Sequence, residues 1–219
     1  MPGYTTRLRT LQVGGQPTLI RALSDKQQFH DPLGEAERRG ISSAAWPLFG
    51  LVWPSALVLA GHLQTVDVGA RRVLELGCGL GLVSLALHRR TRDVTASDNH
   101  PLAGEFLAEN VRLNALPPLP YRTGDWAAHD HSLGRFDLLV ASDVLYDRGQ
   151  PQMLAAFIAR HANAAAEVLV VDPDRGNRSA FNQRMVALGF SASALSVRWL
   201  PEAEGAYKGR VLRYLRVAP

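Results

Sequence analysis

Short apolar runs alternate with helical patterns from Arg71 to the C-terminus. The runs predicted as strands are "RRVLELG", "DVTASD", "YRTGD", "FDLLVASD" and "AEVLVVD". Other segments place apolar residues three to four positions apart, the period of an amphipathic helix; these are "LVSLALHRR", "PLAGEFLAENVRLNAL", "PQMLAAFIARHANAA" and "NRSAFNQRMVALGF". Because continuous apolar strands between helices are typical of a parallel sheet covered on both faces, the pattern predicts a doubly wound, mostly parallel α/β fold.

The C-terminal end departs from this alternation. Gly189 is placed to end the last helix, and "SASALSVRWL" and "GRVLRYLRV" follow as strands, joined by a turn that contains Pro, Glu and Gly. This arrangement predicts an antiparallel pair at one edge of the sheet. Upstream, "SALVLAGHLQTV" predicts a helix, because Pro54 suits its first turn and Gly69 lies beyond its end.

The first 40 residues alternate only loosely between polar and apolar positions. The segments "TTRLRTLQV" and "PTLIRAL" flank Gly14, Gly15 and Pro17, which predicts a short hairpin. We therefore divide the chain into an N-terminal extension over residues 1–45 and one domain over residues 46–219.

The amino-acid composition predicts a soluble globular protein. Hydrophobic residues make up 47% of the 219 residues and charged residues 20%, and no apolar run approaches the roughly 20 residues that span a bilayer. The N-terminus lacks the apolar core of a signal peptide, and the single cysteine, Cys78, excludes an intrachain disulfide. We expect a cytoplasmic protein without a membrane partner. The arginines that produce the net charge of +4 are scattered, so no nucleic-acid-binding arm is predicted.

A glycine-rich turn follows the first predicted strand of the domain. Gly77, Gly79 and Gly81 let the backbone turn tightly and approach a ligand, and Asp98, at the end of the next strand, is placed to accept both hydroxyls of a ribose. A dinucleotide motif has wider glycine spacing, and the carboxylate of Glu75 would repel a pyrophosphate. A ligand with a positive centre and an ammonium group, such as S-adenosylmethionine, fits better. The competing interpretation is a tight turn with no ligand.

These residues resemble a known family. "VLELGCGLGLVSLAL" with "ASD" is similar to the first two motifs of the class I, seven-strand S-adenosylmethionine-dependent methyltransferases, over roughly residues 50 to 219. The segments "VWPSALVLA", "GDW", "SDVLYD" and "VDPDRG" resemble the protein lysine methyltransferases of that class, which include the enzyme that modifies the electron-transfer flavoprotein β-subunit. The resemblance implies a Rossmann-like seven-stranded sheet, S-adenosylmethionine as cofactor, S-adenosylhomocysteine as product and a protein lysine as acceptor. A small-molecule or RNA acceptor, and a non-catalytic S-adenosylmethionine-binding scaffold, are the alternatives.

The resemblance also assigns cofactor contacts. Gly77, Gly79 and Glu75 would line the methionine end, and Asp98 would hold the ribose. The remaining assignments place Asp125 near the adenine amino group, Trp126 beside it, and Trp53 over the cofactor. For Asp125 and Trp126 the alternative is an ordinary loop with a buried indole, and for Trp53 it is core packing.

The same comparison places Asp143 and Tyr146 at the methyl acceptor. A lysine must lose a proton before it can accept a methyl group, and Asp143 would orient the amine while Tyr146 packs against the alkyl chain or the developing cation. The alternative is a turn cap and a packed ring. DNA amino methyltransferases carry two prolines after the acidic or amide residue, whereas Val144 and Leu145 stand here, so a DNA acceptor is disfavoured.

Three other candidate sites have simpler interpretations. "HDH" at residues 129–131 lacks further ligands at zinc-like spacing, so we expect no metal. Cys78 is better explained by a small side chain beside the cofactor than by a nucleophile. The segment 172–175, "DPDR", either borders the acceptor site or forms a capped turn.

Overall fold

The computed structural model of the protein describes residues 3–91, 93–128, 132–198 and 207–218. The strands in these ranges are β1 (Thr6–Val13), β2 (Gln16–Leu23), β3 (Val73–Leu76), β4 (Val94–Asp98), β5 (Tyr121–Thr123), β6 (Phe136–Ser142), β7 (Ala162–Asp172), β8 (Ser191–Val197) and β9 (Gly209–Arg216). The helices are α1 (Glu35–Arg38), α2 (Pro54–His62), α3 (Leu82–His88), α4 (Ala103–Leu113), α5 (Gln150–His161) and α6 (Arg178–Ala187), and a 3₁₀ helix covers Trp46–Gly50.

A seven-stranded sheet forms the centre of the fold, in the order β5-β4-β3-β6-β7-β9-β8. The strands from β5 to β7 pair in parallel, whereas β9 pairs antiparallel with both β7 and β8. The predicted Rossmann-like, doubly wound and mostly parallel sheet with an antiparallel C-terminal edge hairpin is confirmed.

Alternation of side chains along each strand feeds two buried layers. In β3 the side chain of Val73 joins the layer that contains α2, α3 and α4, whereas Leu74 and Leu76 join the layer that contains α5 and α6. Successive residues of a strand point to opposite faces, so a strand covered on both sides must be apolar at nearly every position. This requirement explains the continuous apolar runs in the sequence.

Two helix ends differ from the predictions. The helix expected over "SALVLAGHLQTV" ends at His62, and residues 162–165, expected to be helical, begin β7 instead. Ala162 pairs with Phe136 of β6, so strand pairing overrides the high helix propensity of the alanines in this segment. The end of the predicted strand "SASALSVRWL" and the turn that follows it lie outside the described residues.

The N-terminal hairpin packs on the sheet domain. β1 and β2 pair antiparallel as a separate two-stranded sheet, and Ile20 and Leu23 are fully buried in the layer that contains α2, α3 and α4. The division of the chain at residue 45 stays a prediction. Among the described residues, no helix combines the length and hydrophobicity needed to cross a bilayer.

The outer edge of the hairpin is bonded by Asn110 of α4 and by Asn114, the residue that directly follows α4. The Arg21 N–H donates to Oδ1 of Asn110 at 2.7 Å, and the Leu19 N–H donates to Oδ1 of Asn114 at 3.0 Å. Asn110 is fully buried and also donates through Nδ2 to the Leu80 carbonyl at 3.0 Å. One amide side chain therefore links β2 to the glycine turn.

We predict that Ile20→Ala lowers the free energy of unfolding by about 2–5 kcal/mol, because it leaves a cavity in the shared core. Leu8→Ala in the same hairpin is the matched control: Leu8 is 50% exposed, and its loss should change stability by less than about 0.5 kcal/mol. Urea denaturation of the full chain measures both. Equal, small effects would contradict packing of the hairpin on the core.

Candidate active site

A cavity of about 810 Å³ opens at the carboxyl ends of the central parallel strands. It is lined by residues from the glycine turn, the end of β4, the loops after β5 and β6, and the segment 39–53. Ligands of doubly wound sheets bind at this edge, and the volume falls in the range of small-molecule sites.

The glycine turn requires glycine for two reasons. Gly77, Gly79 and Gly81 have φ values of 65°, 51° and 77°, in the left-handed region that side chains disfavour. A Cβ on Gly79 would lie 2.7 Å from the Phe49 carbonyl oxygen, and one on Gly77 would lie 3.1 Å from Cγ1 of Val144. Gly77 and Gly79 line the cavity. The turn thus brings bare backbone to the cavity wall.

Asp98 ties the end of β4 to this turn. Its Oδ2 accepts the Gly79 N–H at 2.8 Å, and its Oδ1 accepts the His100 N–H at 2.8 Å. Burial raises the pKa of Asp98, and the two N–H groups oppose that shift. Asp98 lines the cavity, and each oxygen keeps a further lone pair. The carboxylate can therefore fix the turn and still accept hydroxyl donors from a ligand.

Glu75 is placed elsewhere. It is buried within β3 and does not line the cavity; its Oε2 accepts the Ser84 N–H at 2.7 Å and also the Ser84 hydroxyl. The N-cap residue of α3 is Gly81, which has no side chain to cap the helix, so Glu75 satisfies an unpaired N–H of the first turn from the neighbouring strand. The expectation that Glu75 lines the methionine end is not supported by this geometry.

Burial raises the pKa of Glu75 to about 8, although both Ser84 donors favour the carboxylate. The side chain is therefore mostly protonated at neutral pH. A protonated Glu75 that does not line the cavity would not repel a pyrophosphate, so Glu75 does not exclude a dinucleotide as the sequence suggested.

The other predicted cofactor residues reach the cavity wall. Trp53, Asp125 and Trp126 all line it. The Trp53 Nε1–H donates to the Leu48 carbonyl at 2.8 Å, and Arg160 donates to the Trp126 carbonyl at 2.9 Å. The first bond fixes the indole of Trp53 and the second holds the backbone at Trp126, and the individual ligand contacts of these residues stay predictions.

Asp143 lies at the end of β6 in an unusual backbone conformation. Its φ of 56° is left-handed, and its N–H donates to the Val171 carbonyl at 2.8 Å. Each carboxylate oxygen accepts one hydrogen bond from Arg175, through Nε at 2.9 Å and through Nη2 at 3.0 Å. Asp143, Arg175 and Tyr146 all line the cavity, and Tyr146 is 56% exposed at its mouth.

From the sequence, the segment that contains Arg175 has two interpretations, a border of the acceptor site or a capped turn. β6 and β7 are parallel neighbours, so the residues that follow them meet at one sheet edge. A cation three positions after β7 and an acid directly after β6 are the signal that could have identified this pair.

The 3₁₀ helix and His100 were missed by sequence reasoning. The His100 ring stacks on Phe49 with centroids 3.7 Å apart, and both residues line the cavity. Burial lowers the pKa of His100 to about 3, so the ring is neutral. No short sequence motif predicts this part of the cavity wall, because packing between distant segments of the chain forms it.

Two further candidates have different outcomes. Cys78 is buried at the cavity wall, and burial raises its pKa, which keeps the thiol protonated and disfavours a nucleophile. Residues 129–131 lie outside the described residues. Within the described part of the chain, no group of three or more His, Cys, Asp or Glu side chains is arranged to hold a metal.

The sheet order and the glycine turn define a Rossmann-like α/β protein with a ligand site at the carboxyl ends of its parallel strands. The magnesium protoporphyrin IX methyltransferase of Synechocystis PCC 6803, solved with bound S-adenosylmethionine, has the same fold: the TM-score is 0.57 at 20% identity, over 73% of this chain and 76% of that one. The chain belongs to the lysine methyltransferase family, whose model matches residues 43–186, about two thirds of its length. The predicted family is confirmed.

Two curated relatives illustrate the relationship. The electron transfer flavoprotein beta subunit lysine methyltransferase of Xenopus laevis is 31% identical over 139 residues, which cover 61% of this chain and 55% of that protein. The EEF1A lysine methyltransferase 3 of Mus musculus is 33% identical over 129 residues, covering 57% and 50%. The chain thus spans about half the length of these relatives.

We predict that the titration of Glu75 destabilises the wild-type protein as pH rises. The unfolded chain ionises Glu75 near pH 4.5 and the folded chain near pH 8, so its contribution is fully present below about pH 4.5 and is lost as pH rises to about 8. Glu75→Gln removes this titration. Its free energy of unfolding should therefore gain more than about 1 kcal/mol relative to wild type between about pH 5 and pH 8.

Denaturant unfolding at each pH measures this difference. Glu105→Gln, at an exposed site on α4, is the matched control and should keep a constant offset from wild type. Parallel pH profiles for wild type and Glu75→Gln would show that Glu75 ionises alike in the folded and unfolded states.

Proposed function

We propose that the protein is an S-adenosylmethionine-dependent methyltransferase that modifies a lysine side chain of a protein. The observation that carries the proposal is the glycine turn joined to Asp98 at the wall of a cavity that also contains Asp143. Family membership supports both the cofactor and the acceptor class.

The cavity residues fit the proposed cofactor. Gly77 and Gly79 line the cavity, so the cofactor would lie against bare backbone there. The Asp98 carboxylate suits a ribose, and the indole of Trp126 suits a planar base. When bound, S-adenosylmethionine supplies an electrophilic methyl group on a positively charged sulfur.

The other end of the cavity suits an amine. Asp143 can accept a hydrogen bond from an acceptor nitrogen, and the exposed ring of Tyr146 can cover the alkyl chain of a lysine. A cytoplasmic location stays a prediction.

Two variants separate cofactor binding from transfer. Asp98→Ala removes the acceptor for ribose hydroxyls and one anchor of the turn, so S-adenosylmethionine binding should weaken by more than about 100-fold, the loss expected for two charge-assisted hydrogen bonds. Asp143→Ala should leave the dissociation constant within about threefold, because Asp143 contacts the acceptor, and should slow methyl transfer by about 100-fold. Calorimetry and single-turnover rates measure the two effects.

A wild-type rate of methyl transfer by Asp143→Ala would show that Asp143 does not contact the acceptor. Unchanged cofactor binding by Asp98→Ala would place the nucleoside elsewhere in the cavity.

The acceptor class is tested with labelled methyl groups. The protein is incubated with methyl-labelled S-adenosylmethionine and an extract of the source organism that lacks this gene, with Asp98→Ala as the inactive control. We expect label in a discrete protein band that releases methyl-lysine on hydrolysis. Label in RNA or small molecules would keep the cofactor and replace the acceptor, and no label at all would favour a scaffold that binds S-adenosylmethionine.

A further inference from the structure

The ion pair between Asp143 and Arg175 changes what Asp143 can do to an amine. The guanidinium bonds both carboxylate oxygens, at 2.9 Å and 3.0 Å, in the bidentate geometry that is the strongest arrangement of these groups. The Asp143 side chain is 9% exposed and that of Arg175 is 40% exposed. The carboxylate is therefore held inside the cavity wall, while its partner reaches it from the more open side.

Hydrogen bonds to the last two residues of β7 hold both members of the pair in place. The left-handed backbone of Asp143 is held by the bond from its N–H to the Val171 carbonyl in β7. The Arg175 N–H lies 3.4 Å from Oδ1 of Asp172, the last residue of β7. Asp143 and Arg175 are thus both hydrogen-bonded to the end of β7, and these bonds set their relative position at this edge of the sheet.

Other charged and titratable groups surround the pair. Asp143 and Asp172 both raise the pKa of the Arg175 guanidinium, which keeps it charged. Asp174 is paired with Arg178 and Arg210. The groups that interact electrostatically with Asp143 or Arg175 are Asp172, Tyr146 and Tyr207.

The protonation state of an acceptor lysine depends on this balance. The ammonium form has no lone pair, and its unperturbed pKa is about 10.4. A lone carboxylate beside the amine would stabilise the ammonium form and raise that pKa. A carboxylate whose charge is offset by a guanidinium still has lone pairs for hydrogen bonding, but it favours the ammonium form much less.

We infer that Arg175 is a positioning residue that offsets the charge of Asp143, so that the cavity orients the acceptor amine without stabilising its unreactive ammonium form. This inference rests on the proposed function. The ammonium gives up one proton to solvent, and the amine lone pair then forms the new N–C bond. The electron pair of the broken S–C bond stays on sulfur, and the methylated ammonium loses its next proton to solvent.

The test compares pH profiles of methyl transfer to the labelled protein band of the gene-deleted extract. In Arg175→Gln the charge of Asp143 is no longer offset, so the midpoint of the rate against pH should move upward by about one unit. The rate should then fall about tenfold at pH 7, while at high pH it should approach the wild-type rate. Arg175→Lys keeps the positive charge, so its midpoint should stay near that of wild type.

Two controls distinguish the proposed role of Arg175 from a folding defect and from the loss of any nearby positive charge. Arg178→Gln removes a neighbouring cation that pairs with Asp174, not with Asp143, and should keep the wild-type midpoint. Calorimetric binding of S-adenosylmethionine should be unchanged in all three variants, which establishes that the cavity is intact.

The outcomes are distinct. A lower rate at every pH with an unmoved midpoint in Arg175→Gln would show that Arg175 only holds Asp143 in place, and would overturn the inference. An equal upward shift in Arg175→Lys would overturn it as well, because the charge would then not be responsible. Failure of the wild-type protein to label any protein band would instead refute the proposed lysine acceptor and, with it, any role for Arg175 toward that amine.

Discussion

The hydrogen bond from the Gly79 N–H to Asp98 is the contact on which the site depends. It holds the turn after β3 against the end of β4, and a second backbone bond, from the Cys78 N–H to the Ser97 carbonyl, reinforces it. The Phe49 carbonyl lies so close on the other side that a side chain on Gly79 would not fit. The turn is therefore confined between a neighbouring strand and the 3₁₀ helix, and its left-handed glycines are the only residues that meet these limits without strain.

Three acidic side chains in and around the site have different hydrogen-bond partners, each set by local structure. Glu75 is buried behind the cavity wall and accepts both donors of Ser84, whereas at the wall Asp98 accepts two backbone N–H groups and Asp143 accepts both donors of Arg175. Asp125 and Asp147 also line the cavity and accept backbone N–H groups. Among the acids that line the cavity, Asp143 is therefore distinguished by its pairing with a guanidinium.

Much of this arrangement is local in sequence and was predictable. The parallel core follows from apolar runs between helices, and the edge pair follows from two strands joined by a turn. Gly77, Gly79 and Asp98 could be placed because the carboxyl ends of neighbouring parallel strands meet. The role of Glu75 was missed because spacing does not show which face of β3 a residue occupies. The ion pair between Asp143 and Arg175 was missed because the two residues are 32 positions apart in the sequence. The cavity wall formed by residues 39–53 was missed because it depends on packing between segments that share no motif.

Asn110 gives the N-terminal hairpin a direct connection to the glycine turn. Its side chain accepts the Arg21 N–H of β2 and donates to the Leu80 carbonyl, and it does so in full burial. An amide at the outer edge of a two-stranded sheet would normally exchange its hydrogen with solvent quickly, but this one opens only when the asparagine moves. The exchange rate at Arg21 is thus a natural reporter of how firmly the glycine turn is held, read from a strand that does not touch the cavity.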